Sequence, residues 1–341
     1  MKRFLSFVLL FSLILSGCTP LQPKQELKQY NATFLDLFDT VTTIVGKADS
    51  EAAFHEKAQA VHDELLRLHQ LFDIYHEYEG IKNLKTINDA AGIKAIEVDP
   101  AIILLLADCK EYYTATAGKV NVAMGSVLKL WHEARNDSID DPLNAYLPDS
   151  DALAEAATHT DFDNVIIDKA ASTVYISDPE LRLDVGAVAK GWATQLVADS
   201  SPQGLLISVG GNVCPTGPKD EKGTPWVVGI QDPDSDGYLH TIYSATDSIV
   251  TSGDYQRTYL VDGKLYHHII DPDTLYPSEY WRSVTIVCPD SGLADALSTA
   301  LFLLPIAEGQ TLLDACEAEA MWVDGEGKQY YSPGFEALIR T

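Results

Sequence analysis

Apolar positions along the chain recur at two spacings, and these divide it into helices and strands. Over residues 50–74, Phe54, Ala58, Val61, Leu65, Leu68 and Phe72 recur at three- and four-residue steps, which predicts a long amphipathic helix. Residues 100–117 form a second predicted helix with Pro100 at its start, and 151–159 a short third. The β-branched run at 35–45 predicts one strand, and 164–176 alternates around a turn as a hairpin. Beyond residue 180 the two kinds interleave. A helix is predicted within 183–199, and strands at 204–209, 226–230, 249–252 and 283–288. A hairpin of 255–261 with 264–270 turns about Asp262-Gly263, a helix covers 292–304, and a last hairpin joins 320–323 to 329–331. Hairpins mixed with helices, without a repeat of fixed period, predict an α+β fold rather than a doubly wound sheet.

One apolar run has neither spacing. Met1-Lys2-Arg3 precedes about a dozen apolar residues and then Leu15-Ser16-Gly17-Cys18, the layout of a secretory signal. The run is shorter than the roughly 20 residues a membrane span needs. A cysteine directly after Leu-Ser-Gly resembles the lipobox of bacterial lipoproteins. That resemblance implies cleavage after residue 17, a lipid on Cys18, and a chain anchored to the outer, extracytoplasmic face of the cell membrane. Residues 18–30, rich in Pro, Gln and Lys, read as a tether, and 31–341 as the folded part. The other cysteines, Cys109, Cys214, Cys288 and Cys316, make no C-x-x-C pair, so a zinc or redox motif is unsupported.

Charge narrows the ligand. The 341 residues carry 24 basic and 50 acidic side chains, a formal net charge of −26. Such a chain repels phosphate backbones, which argues against nucleic acid as a partner. A polyphosphate ligand would need local help from a metal ion, a lysine or helix N-termini.

Four segments are richer in glycine, aspartate and small polar residues than a core requires. In Asp184-Val-Gly-Ala-Val-Ala-Lys-Gly191, Asp184 stands where a helix should begin. Lys190 follows nearly two turns later near the same face, with small residues between that let a ligand approach the backbone. Ser208-Val-Gly-Gly-Asn212 places two glycines after a buried strand. Thr251-Ser-Gly-Asp-Tyr-Gln-Arg257 precedes His267-His-Ile-Ile-Asp-Pro272, where adjacent strand histidines face opposite ways, so at most one faces a site. In the fourth, Ala294–Ala300, Asp295, Ser298 and Thr299 share a helix face, an oxygen-rich set suited to a hard cation such as magnesium. The zinc-protease helix, the G-x-S-x-G elbow, the G-x-G-x-x-G fingerprint and the P-loop are all missing.

Taken in order, these segments resemble the flavin transferases of the ApbE family. Leu37-Phe-Asp-Thr-Val-Thr-Thr43, Asn83-Leu84 with Asn88 and Ala91-Gly92, Val120-Asn-Val-Ala-Met-Gly125 and Trp226 to Pro233 add to the resemblance. It implies an α+β fold of two lobes, with mixed or antiparallel sheets and flanking helices, and FAD in the cleft between them. It also implies a magnesium-dependent transfer of FMN from FAD to a threonine or serine of an acceptor protein, with AMP leaving. Acceptors would be exported redox-complex subunits or flavin-carrying domains. By the same resemblance, magnesium falls on Asp295 and Thr299, with Ala187 and Ser298 beside them. Phe38, Tyr75, Lys119, Val120, Asn121, Asp184, Lys190 and Ile269 fall along FAD. The acceptor hydroxyl must lose a proton, and His268 and Asp254 are the candidate bases. Two positions depart from the family pattern: Phe38-Asp39-Thr40 stands for a frequent Met-Gly-Thr, and Val120-Asn121 for Phe-Asp. Two other functions use the same residues: an FAD pyrophosphatase in which water attacks, and a flavin-binding lipoprotein without turnover.

Overall fold

The computed structural model describes residues 27–340, so the leader, Cys18 and most of the tether lie outside the described residues. The hairpin of β1 (Lys28–Leu37) and β2 (Thr40–Ala48) leads into helix α1 (Glu51–Phe72), α2 (Leu84–Asp89), strand β3 (Ile96–Glu97) and helices α3 (Pro100–Ala115), α4 (Gly125–Asp140) and α5 (Ser150–Ala157). Next come β4 (Val165–Asp168), β5 (Thr173–Ile176), α6 (Ala189–Ser200), β6 (Leu205–Val209), β7 (Asn212–Pro215), β8 (Trp226–Gln231), β9 (Tyr238–Ser244) and β10 (Ser248–Gly253). The chain continues through β11 (Thr258–Val261), β12 (Lys264–His267), β13 (Ser283–Cys288), α7 (Ser291–Phe302) and α8 (Ile306–Leu313), and ends with β14 (Glu319–Val323) and β15 (Gln329–Tyr331).

Eight strands form one sheet in the order β1-β2-β6-β7-β10-β13-β14-β15, with every neighbour antiparallel. Alternation along these strands gives each face its own core. Val250, Val284, Ile286 and Trp322 point toward the layer that holds α1, α6 and α7, whereas Ile249, Val287, Met321 and Val323 pack under the β8–β9 hairpin. Sharing the core on the helical side of this sheet, the three-stranded sheet β3-β5-β4 packs with α2 and α3. Beside it, α4 and α5 pack on the β11–β12 hairpin through Val127, Trp131, Leu153, Tyr259 and Val261.

Several predicted boundaries move for physical reasons. The strand expected over 35–45 is broken by a two-residue turn at Phe38 and Asp39, both at φ 52°. Positive φ at both central positions is what a type I′ hairpin turn requires, though that turn favours Asn and Gly. The tether ends earlier than Tyr30, because Lys28, Gln29 and Tyr30 pair with Ala48, Lys47 and Gly46. Asp184 does not open a helix. Its Oδ1 accepts the Gly186 N–H (2.9 Å) in a turn, and α6 starts five residues later. Helix α4 was not predicted: Met124 at its N-cap makes no side-chain cap bond, although Val127, Trp131, Ala134 and Ser138 keep helical spacing.

α6 and α7 cross with Gly191 at the contact. A Cβ there would stand 2.2 Å from the Ser291 carbonyl oxygen and 2.5 Å from Asp295 Cβ. Gly191→Ala therefore forces the helices apart and lowers unfolding free energy by about 1–3 kcal/mol, measured by urea denaturation. An unchanged midpoint would mean the crossing can open freely.

Candidate active site

A cavity of about 1020 Å³ lies where hairpin turns, loops and helix ends converge. It is at the upper end of the range for small-molecule sites. Two hairpin tips form one edge. The Phe38-Asp39 turn meets the Gly210-Gly211 turn, where a Cβ on Gly210 would stand 2.5 Å from Thr40 Oγ1. The Gly210 N–H donates to the Val41 carbonyl (3.1 Å), and the Phe38 N–H donates to His69 Nδ1 (3.1 Å). The strained turn is thus anchored from both sides, and it faces the cavity.

The structure brings most of the predicted residues to this one space. Phe38, Tyr75, Lys119, Val120, Asn121, Asp184, Ala187, Lys190, His268, Ile269, Asp295 and Thr299 all line it. Some are already committed to the fold. Asn121 donates to the Thr160 carbonyl (2.9 Å) and accepts from the Ala123 N–H (2.9 Å). Lys119 is held by Asp271 (2.8 Å) and Asp273 (2.7 Å). Two candidates lie behind the wall. The Ser298 hydroxyl bonds the Asp295 carbonyl and Ser252 Oγ (both 2.8 Å), tying α7 to β10. The Asp254 carboxylate is paired with Arg282 (2.9 Å). Neither lines the cavity.

Asp295 is 3% exposed. Its Oδ2 accepts the Gly191 N–H (2.8 Å), and Lys190 Nζ stands 3.6 Å from the same oxygen. A buried carboxylate needs such partners to remain charged. Among the described residues no cluster of three His, Cys, Asp or Glu side chains could hold a metal. A hard cation here would therefore draw on one carboxylate, the Thr299 hydroxyl and backbone oxygen, and complete its shell from water and phosphate. That donor set fits magnesium and does not fit zinc.

The two histidines of the 267–272 segment diverge as expected. His267 accepts the Ile269 N–H at Nδ1 (3.2 Å) and donates from Nε2 to the Ser278 carbonyl (2.7 Å), a structural role. His268 lines the cavity with its buried Nδ1 unpartnered. Burial, then the nearby charges of Arg257, His267, Lys190 and Arg135, push its pKa down to about 3. Sequence reading missed His132, on the unpredicted α4. It lines the cavity and shares a 2.7 Å hydrogen bond with the Tyr75 hydroxyl. Burial holds His132 below its ordinary value, with Arg135 and Arg257 adding to the shift and Asp184 opposing it. In the free protein the His268 ring therefore stays neutral down to acid pH. An NMR titration should show its ring resonances flat between pH 5 and 8, and a midpoint near 6.5 would contradict this geometry.

A model of the ApbE family matches residues 38–322. The chain is 36% identical over 249 residues to the FAD:protein FMN transferase of Treponema pallidum, covering 67% of each chain. It is 30% identical over 261 residues to an FAD:protein FMN transferase of Klebsiella pneumoniae, covering 73% of this chain and 78% of that one. Among solved structures, the ApbE protein of Thermotoga maritima superposes with TM-score 0.80 at 29% identity, over 92% of this chain and all of that one. The flavin transferase ApbE of Vibrio cholerae shares the fold, with TM-score 0.75 at 22% identity, over 92% of this chain and all of that one.

Proposed function

The chain belongs to the ApbE family, and from that premise we propose how its cavity carries out the reaction. The protein is an FAD:protein FMN transferase: it moves the FMN half of FAD onto an acceptor protein. We infer that the acceptor atom is a threonine or serine hydroxyl and that the reaction requires magnesium. The observation that carries this reading is the pairing, in one cavity, of a carboxylate held ready by Gly191 with a neutral histidine.

The chemistry follows from the groups present. The acceptor oxygen attacks the FMN-side phosphorus, a new P–O ester bond forms, the P–O bond to the bridging oxygen breaks, and AMP departs with that oxygen. Magnesium, when bound, neutralises phosphate charge and so eases both attack and departure. Asp295, Thr299 and the Ala187 backbone would hold it. Lys190 adds a fixed positive charge beside Asp295. His268 takes the proton of the acceptor hydroxyl at Nδ1. A ring with so low a pKa is a weak base in the free protein, but the diphosphate of bound FAD brings negative charge that raises it toward the working range. Asp254 is too firmly held by Arg282 for that role. The lipid anchor on Cys18 would place the cavity outside the cell membrane, where exported acceptors are.

Asp295→Asn should lower FMN transfer by at least about a hundredfold, with the loss partly offset at high magnesium. His268→Gln should lower turnover by about 10²–10⁴ with FAD binding retained. The assay follows fluorescent acceptor on a denaturing gel and AMP in solution. AMP released without any labelled acceptor would favour the pyrophosphatase instead, and full activity of Asp295→Asn would remove the metal assignment. Cys18→Ser should shift the protein from the membrane to the soluble fraction, and unchanged membrane association would refute the anchor.

A further inference from the structure

One side of the cavity is built from strand ends that no ladder joins. β8 ends at Gln231, and β10 runs out through Gly253 to Gln256 and Arg257; all four residues line the cavity. Yet among the described residues β8 pairs only with β9, in a sheet separate from β10. Besides the apolar contact through Ile249, a polar link between them is Arg282, the residue before β13. Its Nε donates to Asp254 Oδ1 (3.0 Å) and lies 2.9 Å from Oδ2, and its Nη1 lies 2.9 Å from Asp234 Oδ1 in the β8–β9 turn. Its backbone is fixed as well: its N–H donates to the Val323 carbonyl (2.8 Å), and its carbonyl accepts the Asp254 N–H (3.0 Å). The turn it grips is stiffened by Asp232, which accepts the Asp234 N–H (2.9 Å) and the Ser235 hydroxyl (2.8 Å).

The charges explain why this link matters. Arg257, an exposed guanidinium at the cavity, has no carboxylate partner among the described residues, in a chain where acids outnumber bases 50 to 24. Asp254 lies three residues before it, with a side chain 16% exposed. A carboxylate so shielded seeks a cation, and Arg282 supplies one. Without it, Asp254 would be left as an uncompensated, shielded charge on the segment that leads to Arg257.

We propose that Arg282 is a positioning residue of the transferase. By neutralising Asp254 and holding the β8–β9 turn, it keeps Arg257 and Gln231 available to the bound dinucleotide. The inference rests on reading the cavity as the FAD site. Arg282 itself does not line the cavity.

The test is FAD affinity by flavin fluorescence titration, with thermal melting of each variant alongside. Arg282→Gln should weaken FAD binding about tenfold, while Arg282→Lys, which keeps the charge, should stay within about threefold of the parent. The decisive variant is Asp254→Asn combined with Arg282→Gln. Removing the stranded charge should restore much of the lost affinity, which a merely structural role for Arg282 would not do. Parental affinity in Arg282→Gln, or a double variant as weak as that single one, would overturn the proposal. Should Arg282→Gln fail to fold, affinity losses of about tenfold in both Arg282→Lys and the double variant would overturn it too. Failure of the parent protein to bind FAD would instead strike at the reading of the cavity itself.

Discussion

Two helices approach so closely at Gly191 that a methyl group would not fit between them, and at that contact the Gly191 N–H reaches the Asp295 carboxylate. Much of the site depends on this approach. It buries Asp295 while leaving it at the cavity, places Lys190 beside it, and sets Thr299 one turn further along the same wall. Ser298 contributes from behind, bonding β10 through Ser252, so the helix that carries the carboxylate is fixed to the sheet as well as to α6. The carboxylate is thus oriented before any ligand arrives, and preorganisation of this kind is what lets a charged group act without a further reorganisation cost.

The electrostatics of the cavity run against those of the molecule. A chain of net charge −26 is a poor host for a diphosphate, yet Lys190 and Arg257 line the cavity and Arg135 lies within electrostatic reach of His132 and His268. These cations and burial keep both histidines neutral in the free protein. In the proposed mechanism the same local field would attract the substrate and leave His268 free to accept a proton, and the substrate's own charge would strengthen it as a base.

The helices and hairpins with strong periodicity could be read directly. The α1 stripe from Phe54 to Phe72 and the Asp262-Gly263 turn both fall where pattern places them. The site was legible as four polar, glycine-rich segments because chemistry demanded residues that a core does not. What stayed hidden was set by tertiary contact. Only a weak local signal marks the tight turn at Phe38-Asp39, since Asp tolerates positive φ but Phe does not; it is held by His69 and by the glycine turn packed against it. Helix α4 lacks a capping side chain, so His132 went unnoticed with it. Asp254, a candidate base once the resemblance implied one, is taken by Arg282, which lies 28 residues away in sequence.

The proposed mechanism requires the carboxylate placed by Gly191 to be a metal ligand. The most direct measurement is anomalous diffraction from crystals grown with FAD and manganese in place of magnesium. The structure predicts one strong peak at bonding distance from the Asp295 carboxylate and the Thr299 hydroxyl, next to the FAD diphosphate. A cavity holding FAD with no peak there, or with the metal bound elsewhere, would contradict it.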